Sequence, residues 1–180
     1  MDNLKKQLSQ LKEGQIILLE TSAENSFNAT CIAIEILTKK EFAGIILSSA
    51  KPCNTLIESF TKKKISTKKL FILDCVHGSK EINPDFKNVL HLSGASDLTS
   101  ISIAINEAIL SIPGKKFLLI DSIAIMLIYN KQEIFAKFMY SILAKLQTNK
   151  INGILISVTS STDNKLRDQL AQMCNKVIKG

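Results

Sequence analysis

Gln15-Ile16-Ile17-Leu18-Leu19-Glu20-Thr21-Ser22-Ala23-Glu24-Asn25-Ser26-Phe27-Asn28-Ala29-Thr30 joins an apolar strand, a polar segment without glycine or lysine, and the start of a helix-like run, Phe27–Leu37. Its strand portion, Gln15–Glu20, is continuously aliphatic rather than alternating, the mark of a strand covered on both faces. The signature returns at Gly44–Ser48, Leu70–Asp74, Lys116–Ile120 and Gly153–Val158, with a weaker Val89–Leu92 and a terminal Lys176–Ile178. Amphipathic segments separate these runs. Strands that alternate with helices form βαβ units with right-handed crossovers. The expected architecture is therefore α/β, a three-layer α/β/α sandwich with a mostly parallel central sheet, in one domain spanning 1–180.

The helical segments carry their own signals. Leu4, Leu8 and Leu11 form an apolar stripe that predicts an N-terminal helix over about 2–12. Pro52 suits a first helical turn, and Cys53, Leu56, Ile57 and Phe60 then form one face. Asp97 is placed to cap a helix bearing Leu98, Ile101, Ile105, Ala108 and Ile109, which Pro113-Gly114 ends. Asn130 and Glu133 match an N-x-x-E variant of the capping box. The helix they open would bury Ile134, Phe135, Phe138, Met139, Ile142 and Leu146. Leu166, Leu170 and Met173 stripe the last helix.

Composition narrows the function classes. The chain has 180 residues, 46% hydrophobic and 22% charged, which fits a folded globular domain. No apolar run reaches the length of a membrane span, and the first residues lack the apolar centre of a signal peptide, so a cytoplasmic protein is expected with no membrane partner. The net charge is +7, but Arg167 is the single arginine among 23 basic residues. Specific nucleic-acid sites favour arginine forks, so Lys62-Lys63-Lys64 and Lys68-Lys69 predict at most non-specific contact with nucleic acid and otherwise a solvated helix end and loop. Cys31, Cys53, Cys75 and Cys174 form no CxxC pair, and with only His77 and His91 as further soft ligands a zinc site is not expected. The cysteines read as buried reduced thiols. Cys75 with Asp74 and His77 is a poor nucleophile–base set, because neighbours in sequence rarely have workable geometry.

In an open parallel sheet, ligands bind beyond the carboxyl ends of the strands. The residues to inspect are Glu20–Asn28, Ser48-Ser49-Ala50-Lys51, Asp74–Gly78, Asp121-Ser122 and Thr159–Asn164. A strand–loop–helix unit such as the first is the setting in which GxxxxGK[ST] cradles phosphate.

The order of these pieces, from about Gly14 to Lys179, resembles the RecA/KaiC-like branch of P-loop ATPases, which includes archaeal RadA-like and KaiC-like proteins. Lys116-Phe117-Leu118-Leu119-Ile120-Asp121-Ser122 is similar to the family's Walker B strand. Gly44-Ile45-Ile46-Leu47-Ser48 and Leu70-Phe71-Ile72-Leu73-Asp74 resemble its second and third strands, and Gly153–Ser160 its strand ending in a polar sensor-type position. Against that pattern, Phe27 falls where the phosphate-binding lysine would sit and Asn28 where the magnesium-binding Ser or Thr would. Thr21, Glu24 and Ser26 take glycine places, Glu20 and Glu24 would repel polyphosphate, and Ala50-Lys51 replace the acidic pair that activates water. The resemblance thus implies a RecA-like domain with a degenerate Walker A motif. Ser26, Phe27, Asn28 and Lys51 mark the altered nucleotide region, and Asp121 is the candidate metal partner.

Phosphoryl transfer depends on the parts that are missing. The expected function is a non-catalytic binding or regulatory module that associates with a protein partner, either a related ATPase or a second copy, with no cofactor. The alternatives are unorthodox binding of ATP and magnesium, with Lys51 or another lysine supplying the cation, and a non-specific DNA-associated protein using Lys62–Lys69. For Asp121 a capping role over Ile123–Ile128, or a bond to a neighbouring loop, is weighed above a metal role. Ser122, Ser157 and Thr159 are expected to satisfy backbone groups at the strand ends, and Phe27 to fill space left by an absent nucleotide.

Overall fold

The computed structural model describes residues 2–76 and 87–180. In chain order the elements are α1 (Asp2–Ser9), β1 (Ile16–Thr21), α2 (Ala23–Lys39), β2 (Ala43–Ser48), α3 (Cys53–Lys62), β3 (Leu70–Asp74) and β4 (Val89–His91). They continue as α4 (Leu98–Ser111), β5 (Lys116–Asp121), α5 (Ile123–Tyr129), α6 (Gln132–Thr148), β6 (Asn152–Val158), α7 (Asn164–Met173) and β7 (Lys176–Lys179). Every strand pairing is parallel. The seven strands lie in the order β4-β3-β2-β5-β6-β1-β7.

Burial on both faces explains the continuous aliphatic runs. Successive residues of each strand enter opposite cores, following the two-residue period of the pleat. Ile16, Leu18, Ile45, Leu47, Leu118, Ile120 and Leu155 pack with α4, α5, α6 and α7. Ile17, Leu19, Ile46, Ile72, Leu119, Ile154 and Ile156 pack with α1, α2 and α3. Register aligns Ile45, Leu118, Gly153 and Ile16 in one row across four strands. Gly44 sits on the other face, between Phe117 and Leu70 in register. A Cβ there would lie 2.6 Å from the Phe117 ring and 2.8 Å from Leu70 Cδ2. The fully buried Phe117 ring thus occupies the space that the missing side chain leaves.

The helix signals held with local exceptions. Asp97 caps α4, its carboxylate accepting from Ser100 N at 3.0 Å. The N-terminal helix ends at Ser9, although Leu11 is still buried. Pro52 occupies the cap position of α3 rather than its first turn. The capping box at Asn130 does not form: Lys131 precedes α6, with no side-chain cap. The Asn130 amide instead donates to Ala95 O and Met126 O, both at 2.8 Å, closing the end of α5. Ile134 is 55% exposed, so the buried face of α6 begins at Phe135.

The amino ends of the strands are closed by amides. Asn152, fully buried, donates to Lys12 O at 2.7 Å and accepts from Gly14 N at 3.3 Å. Asn175 accepts from Ile16 N at 2.7 Å. The asparagines at the amino ends of β1 and β6 are thus committed to the backbone. Gly44→Ala should destabilise the domain by about 1–3 kcal/mol through overpacking against Phe117; a urea unfolding midpoint unchanged from wild type would refute that account of the glycine.

Candidate functional site

β1 passes to α2 through one residue. Ser22 is the N-cap, its hydroxyl accepting from Asn25 N at 3.3 Å, and helical geometry starts at Ala23. The helix therefore begins four residues ahead of Phe27, and Ala23–Ser26 are its first turn rather than a loop. The local reason is the N-cap serine, which satisfies an early amide and lets the helix start at once. Ser26 turns its hydroxyl inward on the helix, donating to Ala23 O at 2.9 Å. Glu20 points to the α7 side, where Arg167 Nε meets it at 3.2 Å, so its charge is answered within the fold.

Above the strand ends lies a cavity of ≈ 410 Å³. Ser26, Phe27, Lys51, Asp121, Ile125 and Ile128 are among the residues that line it. It therefore gathers four of the five positions singled out in the sequence. Asn28 is the exception: it lies outside this lining, and its side-chain oxygen accepts from Lys63 Nζ at 3.3 Å. Phe27 stacks against Phe60 with ring centroids 6.4 Å apart and planes 11° from parallel. Lys51 Nζ stands over the Phe27 ring, 4.6 Å from its centroid, in a cation–π arrangement. The phenyl ring thus joins the hydrophobic layer of α2 and α3 to a cation at the cavity wall.

Asp121 is 5% exposed and extends the row Asp74–Ser48–Asp121 across three adjacent strands. Its carbonyl accepts from Ser49 N at 2.8 Å and from Ser49 Oγ at 3.0 Å. Its carboxylate accepts no hydrogen bond among the described residues. Desolvation raises its pKa from 3.8 to about 6, with the Lys51 charge pulling the other way. The cap of α5 falls one residue later than expected: Ser122 Oγ accepts from Ile125 N at 3.4 Å, leaving the Asp121 carboxylate uncommitted. Thr159 fulfils its expected role, donating to Thr21 O at 3.4 Å. Ser157 does not, since its buried hydroxyl has no partner among the described residues.

Asp74 has the opposite environment. It is fully buried, and its two oxygens accept from Cys53 N and Val76 N, each at 2.9 Å. A carboxylate from β3 thereby serves the amino end of α3, where Pro52 has no side-chain cap to offer. Cys53 Sγ, an Asp74 oxygen and a His91 ring nitrogen all lie within 4.8 Å of one another. Sequence reading missed this group because its members come from three elements with no ligand spacing between them. Cys75 packs on the opposite side of the sheet, and burial with the Asp74 charge pushes its thiol up to about 12. His77 and Gly78 lie outside the described residues. Lys62, Lys63 and Lys64 are exposed at the end of α3, and Lys69 pairs with Glu41.

No family model matches the sequence, and neither does any curated protein. Solved structures do. The KaiC-like protein PH0186 from the hyperthermophilic archaeon Pyrococcus horikoshii OT3 superposes with a TM-score of 0.63 at 13% identity, over 94% of this chain and 72% of that one. An uncharacterized protein of Pyrococcus horikoshii, PH0321, in complex with an unknown peptide, gives 0.66 at 13% identity, over 99% of this chain and 82% of that one. The fold is RecA/KaiC-like.

Within this RecA/KaiC-like sheet, the Lys116–Asp121 strand is central and ends at the cavity. No helix among the described residues is long and apolar enough to cross a membrane. The Asp121 shift has a defined effect on stability. Its folded pKa lies above its unfolded value, so the native state holds the proton more tightly between 3.8 and about 6. Its contribution therefore falls as pH rises through that window and is lost above it, by about 3 kcal/mol. Asp121→Asn should remove this loss, gaining stability relative to wild type at pH 7 but not at pH 3.5. Equal urea midpoint differences at both pH values would show that the carboxylate is not desolvated in this way.

Proposed function

We propose that this chain is a non-catalytic RecA/KaiC-like binding module, whose altered Walker A region no longer holds nucleotide and whose cavity receives a segment of a protein partner. The reading rests above all on the start of α2 at Ala23, directly after Ser22. A phosphate cradle needs several consecutive amides turned toward one point, usually on glycines. A capped first helical turn bearing Ala23, Glu24, Asn25 and Ser26 has no such loop. Phe27 and Ala50 add apolar surface where phosphate chemistry needs a lysine and a carboxylate.

The cavity wall supports a protein segment as the occupant. Ile125, Ile128, Val158 and Phe27 supply apolar surface, with Lys51 and Asp121 as polar points. Mostly apolar surface with a few placed polar groups is the usual build of a recognition pocket. Ile128 and Tyr129, 72% and 60% exposed, extend the apolar surface beyond the rim. The peptide complex of PH0321 provides a precedent in the same fold. No cofactor enters this reading, and DNA contact by Lys62–Lys69 is set aside because Glu35 and Glu41 share a concave surface with Lys64, Lys68 and Lys69.

Lys51 favours the second reading, a nucleotide held from an unusual direction, since its ammonium faces the cavity. Calorimetry with Mg-ATP at roughly 100 μM protein, a concentration suited to weak binding, separates the two. The module reading expects no heat. Binding with turnover that Asp121→Ala abolishes would overturn it, and affinity at least about tenfold weaker in Lys51→Ala, or about 1.4 kcal/mol, would establish the second reading. A random peptide library panned on the wild-type chain should yield binders that Ile128→Glu fails to hold. Binders retained equally by Ile128→Glu would move the partner surface away from the cavity.

A further inference from the structure

Outside the cavity, the most demanding arrangement in the molecule is the group at the amino end of α3. A thiol, a carboxylate and an imidazole converge there from α3, β3 and β4, with Cys53 and Asp74 almost fully buried and the His91 side chain 26% exposed. His91 Nδ1 and Asp74 Oδ2 are 3.6 Å apart, beyond hydrogen-bonding range. Two ligands on one tetrahedral zinc ion, with Zn–N and Zn–O bonds near 2.0–2.2 Å, stand roughly 3.3–3.5 Å apart. At 3.6 Å the pair stands just above that ligand–ligand separation, and all three donor atoms lie within 4.8 Å of one another.

We infer that Cys53, Asp74 and His91 form a divalent transition-metal site of the zinc class. One sulfur, one imidazole nitrogen and one carboxylate oxygen are a donor set zinc accepts, with a fourth position open to another donor. Two backbone contacts of Asp74 fit this role. Ligating carboxylates are themselves held by outer hydrogen bonds, and the amides of Cys53 and Val76 provide them at 2.9 Å each.

Chemistry at Cys53 is balanced by a single proton. Burial and the neighbouring Asp74 carboxylate push its thiol up to about 11. On binding, the sulfur–metal bond forms, the thiol proton passes to solvent and no redox change occurs; the charge of the ion offsets the repulsion from Asp74. The structural consequence falls on β4. That strand has three residues, none fully buried, at the edge of the sheet. An ion shared by His91, Asp74 and Cys53 would pin this edge to β3 and α3, supplying an attachment that apolar burial does not.

Cobalt(II) tests the site directly, because its spectrum reports thiolate ligation and tetrahedral geometry. The reduced, chelator-treated 180-residue chain is titrated with cobalt(II) and then zinc(II). Stoichiometric cobalt should produce thiolate-to-metal charge-transfer absorption and strong visible bands, both removed by stoichiometric zinc. Cys53→Ser should lose the charge-transfer absorption, and Cys75→Ser should keep it. His91→Gln should weaken binding beyond the roughly 10- to 100-fold expected when only an outer partner is lost. No absorption in the wild-type chain, absorption that survives Cys53→Ser, or unchanged affinity in His91→Gln would each overturn the assignment. Far-ultraviolet circular dichroism on each variant confirms that it is folded, and the wild-type titration decides the matter even if a variant is not.

Discussion

A parallel sheet covered on both faces imposes the condition on which the rest of this molecule depends. Each strand must send alternate side chains into two separate cores, so polar side chains are costly along most of its length. They gather at the strand ends instead. At the amino ends, Asn152 and Asn175 are spent on backbone groups. At the carboxyl ends, Ser48, Asp74 and Asp121 stand in one row, beside the turns that lead into α3 and α5. The same burial that drives folding thus concentrates chemical groups along one rim.

Two carboxylates in that row have opposite fates. Asp74 receives backbone amides on both oxygens, while the Asp121 carboxylate has no such donors among the described residues and is shifted toward its neutral form. The difference follows from the neighbouring helix starts. α3 has Pro52 before it and no side-chain cap of its own, so Asp74 serves it; α5 has Ser122, which leaves Asp121 facing the cavity. One acid stabilises the scaffold, and the other is buried at the cavity with only the Lys51 charge, among the described residues, to offset its desolvation. A buried group held at such a cost is where a binding surface is to be sought.

The strand positions were legible almost to the residue because aliphatic runs bounded by charge and glycine are local features. Asp97 was legible as a cap for the same reason. Errors clustered where local signals competed. The residues Ala23–Ser26 look like a loop by polarity, yet the Ser22 cap draws them into α2. Asn130 has a capping pattern with Glu133, but two carbonyls at the end of α5 claim its amide. Ile134 matches the helical stripe and still faces outward, since α6 has its core partners over an arc that begins one residue later.

By itself the sequence determined the layers: which runs are strands, that both their faces are buried, and that one rim of the sheet carries the polar residues. Hydrophobic period and capping chemistry are written within a few residues of where they act. Only the tertiary structure decided which of those polar ends meet. Strand order brings Lys51 of the β2–α3 turn beside Phe27 of α2 and faces both toward Asp121 of β5. Register and crossover likewise carry Cys53, Asp74 and His91 into one cluster. Such meetings depend on packing between distant segments, and no spacing along the chain encodes them.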